Sequence, residues 1–147
     1  MPRIQVFFYK EKGLAGSVPV LQWLRTIRRK DRRGFAKCWE RIQRLIEFGH
    51  ELRRPHADLL RDRIHELRVR HGKVQYRLLY FFHGQDVAIL AHAIIKRGAK
   101  VPAAEIDLAV ERRRQFENAP GEHAYEEDQP DDEENARRAE DFGSPNR

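Results

Sequence analysis

Residues Ile64 to Tyr80 read IHELRVRHGKVQYRLLY, two runs of alternating apolar and polar side chains joined at His71-Gly72. That alternation around a short turn is the pattern of a β-hairpin. Arg68, Arg70, Lys73 and Arg77 put four positive charges on or beside its strands. Strands tolerate so many like charges when the face carrying them is solvated or meets an anion, and phosphate is the anion this pattern predicts.

A third run, Val87 to Lys96, follows the turn His83-Gly84-Gln85, so the three strands form an antiparallel meander. Toward the N-terminus, Ile4, Val6 and Phe8 alternate as in a half-buried strand, and Gly13 and Gly16 break the pattern. Ser17 offers a cap and Pro19 a first-turn residue for a helix carrying Val20, Trp23, Leu24 and Ile27. Asp31 opens a second helix with a stripe of Phe35, Cys38, Trp39, Ile42, Leu45 and Ile46 that ends near Gly49. Together they predict a helical hairpin whose outer face is basic from Arg28 to Arg44, Arg41 included. Leu52 to Arg63 reads as a polar loop around Pro55. Pro102 then opens a third helix, with Ile106, Ala109, Val110 and Phe116 on one side and Arg112, Arg113 and Arg114 as a basic cluster. The order β-α-α-β-β-β-α predicts an α+β domain, a mainly antiparallel sheet with the helices packed on one face and the other face free.

Charge divides the chain. Residues 1–118 hold 26 Lys and Arg against 13 Asp and Glu, whereas residues 119–147 hold 3 against 10. A basic body of this kind is the electrostatic footprint of nucleic-acid binding. The expected organisation is one domain over 1–118 and an unpacked acidic tail over 119–147, where Pro, Gly, Asp and Glu leave little to bury. In that tail Glu126 to Glu134, EEDQPDDEE, either solubilises the chain or folds back on the cationic body. A single cysteine, Cys38, excludes an internal disulfide, and no N-terminal stretch resembles a signal peptide or membrane span. The expectation is a cytoplasmic protein with no membrane partner. HExxH, Walker and GxGxxG patterns are missing from the sequence, so neither a metal nor another cofactor is expected.

Strand alternation puts Glu66, Arg68 and Arg70 on one side of their strand, Gln75 and Arg77 on one side of the next, and His92 and Lys96 on one side of the third. If the three sides coincide, they make a cationic, histidine-bearing surface. Register decides that, and register depends on the turns.

The segments LRRPHADLLRDRIHELRVRHGKVQYRLLYFF (52–82) and HAIIKRGAKVPAAEIDLA (92–109), with this order of elements, resemble the RelE/HigB toxins of type II toxin-antitoxin systems. The similarity is to the phage-derived Gp49-like branch, runs from about Arg3 to Phe116 and stops before the tail. It implies a RelE-like fold and a ribosome-dependent mRNA interferase that cuts translated message in the A site. It also implies a cognate helix-turn-helix antitoxin, with the ribosome and mRNA as further partners and operator DNA reached only through the antitoxin. Such an endoribonuclease works without metal, because the RNA 2′-OH is the nucleophile and the protein aligns it, moves protons and stabilises the phosphorane.

By the same resemblance Arg77 matches the phosphate-contacting strand arginine, Arg68 a second one and Lys96 the basic position ending the last strand. His92 completes the expected catalytic set, with His56 as the competing general base or acid. Arg54, His56, Arg61, Arg70, Lys73 and Arg97 are the expected RNA or ribosome contacts. The departure is Val101-Pro102-Ala103-Ala104, where many RelE-like toxins carry a tyrosine, which leaves the base open. ParE-type toxins that poison DNA gyrase share the fold. A gyrase poison or a non-catalytic nucleic-acid binder is therefore the alternative, and the dense Arg, Lys and His set favours RNA cleavage.

Overall fold

The computed structural model describes residues 3–13 and 16–127. Strand β1 (Gln5–Tyr9) leads into helices α1 (Pro19–Lys30) and α2 (Arg32–Phe48) and a short 3-10 turn at Gly49–Glu51. Four strands follow, β2 (Ala57–Arg61), β3 (Ile64–His71), β4 (Val74–His83) and β5 (Val87–Lys96). Helix α3 (Ala103–Asn118), a four-residue helical turn α4 (Pro120–His123) and β6 (Ala124–Tyr125) close the described chain. The strands form one sheet in the order β2-β3-β4-β5-β1-β6, in which β1 runs parallel to β5 and every other pairing is antiparallel. The α+β class and the mainly antiparallel sheet are as expected.

The helical hairpin forms as the sequence predicts. Asp31 is the N-cap of α2, where its Oδ1 accepts the Gly34 N–H at 2.9 Å while Oδ2 accepts the Tyr76 hydroxyl at 2.6 Å. One side chain thus caps a helix and ties it to β4, and a Cβ at position 34 would collide with that carboxylate. Gly49 ends the helix at φ 55°, a conformation that favours glycine. Ser17 does not cap α1: the N-cap is Val18 without a side-chain bond, and Pro19 sits at the helix start. The Ser17 carbonyl instead accepts the Glu11 N–H at 2.8 Å.

Three further expectations need correction. The helices do not share one face. α1 and α2 bury Leu24, Ile42 and Leu45 against Leu67, Leu78 and Leu90, whereas α3 lays Ile106, Ala109 and Phe116 over Leu79, Phe81 and Ile89 on the opposite side. Half of that opposite face is apolar, and burying each such side chain stabilises by about 1.5–3 kcal/mol, so it demands a cover. The polar loop is in part a strand. β2 pairs with β3 through a two-residue turn at Asp62 and Arg63, both at positive φ (51° and 61°). The turn carries the backbone of a type I′ hairpin without its usual glycine. Finally, residues 119–127 are packed. β6 pairs with β1, Lys10 N–H donates to the His123 carbonyl at 2.9 Å, and the His123 ring stacks on Tyr9 with centroids 5.1 Å apart. They cover what is otherwise a bare sheet edge. Residues 128–147, which hold most of EEDQPDDEE, lie outside the described residues.

Candidate nucleic-acid interface

The register settles which side chains share a face. Glu66 lies opposite Leu79, Arg68 opposite Arg77 and Arg70 opposite Gln75. On the next strand Leu79 lies opposite His92, Arg77 opposite Ile94 and Gln75 opposite Lys96. The three polar sides therefore coincide. His92 joins them by plain alternation with Ile94 and Lys96; the bulge comes just before it in the chain, where Tyr80 pairs with Leu90 and Ala91 is left as an extra residue, so Leu90 and Ala88 face α1 and α2.

Helix α3 covers one half of this face and leaves the other open as a cleft of about 620 Å3. Glu66 and Arg77 form its floor, Arg68 and Lys96 its strand side, and Arg54, Arg61 and Lys100 its rim. Leu60, Val101 and Ile106 supply apolar walls. A second pocket of about 420 Å3 lies on the other side of Arg68 and Arg77, lined also by Arg41, His56, Arg70 and Gln75. Counted together, the two hold eight guanidinium and ammonium groups against two carboxylates, Asp58 and Glu66.

Arg77 is buried, only 2% exposed, with Nε 3.0 Å from Oε1 of an equally buried Glu66. The N–H is not aligned on that oxygen, so the contact is an ion pair rather than a good hydrogen bond. Its Nη1 donates to the Tyr76 carbonyl at 3.1 Å and its Nη2 to Gln75 Oε1 at 2.9 Å. The guanidinium is thus a fixed part of the floor. Arg68 is one third exposed, 3.8 Å from Glu66 Oε2 and available to a ligand. Burial pushes the Glu66 carboxyl above its ordinary value, and Arg77 and then Arg68 pull it partly back. Lys96 holds the Gly98 carbonyl at 2.8 Å.

His92 stands apart from the cleft. Helix α3 covers it, its Nε2 lies 2.5 Å from Glu105 Oε1, and Arg112 reaches to 3.5 Å of Nδ1 while donating to the Ala91 carbonyl at 2.7 Å. Burial lowers its pKa, and the Glu105 bond partly offsets that. The structure does not bring it together with Arg77, Arg68 and Lys96. His56 is half-buried in the second pocket, its pKa lowered first by burial and then by Arg41 and Arg44. Arg54 clasps Asp58 at the rim through Nε at 3.0 Å and Nη2 at 2.7 Å, and Arg61 pairs with Asp62 and Asp107 at 2.7 Å each. Arg70 lines the second pocket with Nε on the Gly72 carbonyl at 3.1 Å. Lys73 and Arg97 are exposed and line neither.

Sequence reasoning missed two residues of this site. Glu66 entered it only as a side chain sharing a strand side with Arg68 and Arg70, with no role of its own, and Arg41 only as part of the outer face of α2. Arg41 in fact turns inward, and its Nη1 donates to the Arg68 carbonyl, which fixes the strand from the helix side. Among the described residues no three His, Cys, Asp or Glu side chains gather as a metal site, and no helix is long and apolar enough to cross a membrane. A cation-lined cleft around a buried carboxylate of raised pKa is equipped to hold a phosphodiester and to take a proton. Residues 22–114, which span α1 to α3 and contain the whole cleft, match the family described as phage derived protein Gp49-like (DUF891). No curated protein matches the chain at a significant level.

Proposed function

This chain belongs to the Gp49-like family of phage-derived proteins, a family of RelE/HigB-type toxins, and from that premise we propose that it cuts translated mRNA in the ribosomal A site by metal-independent 2′-OH attack. The observation that carries the reading is the gathering of Arg68, Arg77 and Lys96 around buried Glu66 in one open cleft. RNA supplies the nucleophile, so the protein needs a base for the 2′-OH, positive charge for the phosphorane and a proton for the departing 5′-oxygen.

Glu66 is the base. It is a carboxylate whose burial raises its proton affinity, and Arg77 fixes its orientation from below. Arg68 holds the non-bridging phosphate oxygens, and its fork geometry suits two of them at once. Lys96 gives its proton to the 5′-oxygen as the P–O bond breaks. The products are a 2′,3′-cyclic phosphate and a 5′-hydroxyl end. His92, held under α3 by Glu105 and Arg112, has no part in this scheme. The partners that follow are a cognate antitoxin, of helix-turn-helix type with operator DNA bound through it, and the ribosome, which places the action in the cytoplasm.

Expression of the chain without antitoxin is expected to arrest growth and to leave 5′-hydroxyl ends within coding sequence. Arg68→Ala and Lys96→Ala, both partly exposed, are expected to fold and to lose both effects. Arrest that persists in both variants would overturn the nuclease reading in favour of a gyrase poison.

A further inference from the structure

We propose that the second pocket binds a second phosphate of the RNA strand, so that the substrate is engaged through two consecutive phosphodiesters on either side of Arg68 and Arg77. The inference rests on the reading that the larger cleft takes the scissile phosphate. Arg41, Arg68, Arg70 and Arg77 converge on this pocket of about 420 Å3 together with His56 and Gln75, and no carboxylate lines it. The larger cleft, by contrast, includes Asp58 and Glu66. Their counter-charges lie outside it, Glu66 beside Arg68 and Arg77 and Glu40 beside Arg41, so the pocket itself presents four guanidinium groups and no anion, which is the place a bound polyanion fills.

The forks are also held in place. Arg41 is anchored from α2 on the Arg68 carbonyl, Arg70 on the Gly72 carbonyl and Arg77 on Gln75 Oε1. Each guanidinium has five N–H donors, so these anchors leave others for a ligand. The loop that carries His56 is tied to the same strand, because the Arg68 N–H donates to the His56 carbonyl at 2.8 Å. Arg68 and Arg77 border both spaces, so a chain with a phosphate in one presents its next phosphate to the other. An isolated anion would use only one. The repeat of a nucleic-acid backbone uses both.

His56 makes the site readable. From α2 it faces Arg41, Arg44 and Glu40, and an arriving phosphate adds the negative charge the pocket lacks. The test is a titration of the full-length protein, followed by the ring proton resonances of His56, with a deoxydinucleotide and a deoxytrinucleotide. These carry one and two phosphodiesters and no attacking hydroxyl. The trinucleotide is expected to bind roughly ten- to a hundredfold more tightly, the worth of an added charge-assisted contact, and to raise the His56 pKa. In Arg70→Ala, a change at an exposed strand end, that advantage is expected to vanish with the thermal transition kept. Equal affinities, an unmoved His56 at saturation, an advantage that survives Arg70→Ala, or no binding of either probe at low salt would each overturn the proposal. Because neither probe can be cleaved, a protein that binds this way yet cuts no message loses only the nuclease reading. One that cuts message yet fails here loses only the second subsite.

Discussion

Arg77→Ala is expected to cost the fold about 3–5 kcal/mol at neutral pH, the range for removing one member of a buried ion pair. Arg77 and Glu66 are 2% and 6% exposed and 3.0 Å apart at their nearest atoms. With charge centres about 4 Å apart, their attraction is about 4 kcal/mol at an effective dielectric constant near 20. Burial nevertheless shifts both groups toward their neutral forms, Glu66 upward and Arg77 downward, so the pair does not recover all of its desolvation. Once the guanidinium is gone, Glu66 keeps Arg68 at 3.8 Å and the weaker pull of Lys96. The cheapest response is then to take up a proton.

The sign of the pH dependence follows. An acid whose folded pKa lies above its unfolded value of about 4.3 is a liability that grows as pH rises between the two. Arg77→Ala raises the folded value further, so its cost is largest at pH 7 and shrinks as pH falls toward the ordinary carboxylate range. Urea unfolding at pH 7 and near pH 4.5 measures both terms. The double variant Glu66→Leu/Arg77→Met, which removes both charges, is expected to return to within about 1 kcal/mol of the parent or above it. A loss below about 1 kcal/mol in Arg77→Ala, equal at both pH values, would refute a buried pair. For the same reason inactivity of Arg77→Ala would not by itself show a role in chemistry, and the partly exposed Arg68 and Lys96 are the better probes.

Three other outcomes are expected. Glu105→Gln removes the bond that offsets burial at His92, so the His92 pKa should fall further in an NMR titration, while His92→Gln should keep its toxicity because the side chain lies outside the cleft. Tyr76→Phe loses a 2.6 Å bond to Asp31 and should cost about 1.5–3 kcal/mol in urea unfolding at neutral pH. The Asp31 carboxyl is held below its usual value chiefly by that bond, so the stabilisation is present above its unfolded pKa of about 3.9, is lost as pH falls through the folded value, and should be weaker in the variant. Ending the chain at Asn118 strips β6 and His123 from Tyr9, and calorimetry should find it roughly 2 kcal/mol less stable than a chain ended at Glu127.

Much of this fold is legible in local chemistry. Asp31 as a cap, Gly49 as a stop and Gly72 as a turn residue each do what their residue types favour, although the turn is Gly72-Lys73 and His71 stays in the strand paired with Val74. What escapes is decided by tertiary context. Asp62-Arg63 carries the backbone of a hairpin turn without its glycine, so β2 hides inside a polar segment. The stripe of Ile106, Ala109 and Phe116 is visible in the sequence, but which face of the sheet it covers is not. The cationic face is foreseeable from alternation, because Arg68, Arg77 and Lys96 fall where period-two reading puts them. His92 shows the limit: alternation places it on the face of Lys96, but α3 closes over it and Glu105 holds its ring out of the cleft. A glutamate between arginines reads as solvent-facing, and only the packing makes Glu66 a buried group with a raised pKa.

The most direct test of the central claim is to add the purified protein to a reconstituted translation reaction and map mRNA 5′ ends by primer extension, beside naked mRNA and the Arg68→Ala and Lys96→Ala variants. The account predicts cuts in register with codons on translated message alone, absent with both variants. Equal cutting of naked and translated mRNA would contradict the ribosome-dependent reading, and no cutting of either would contradict the nuclease altogether.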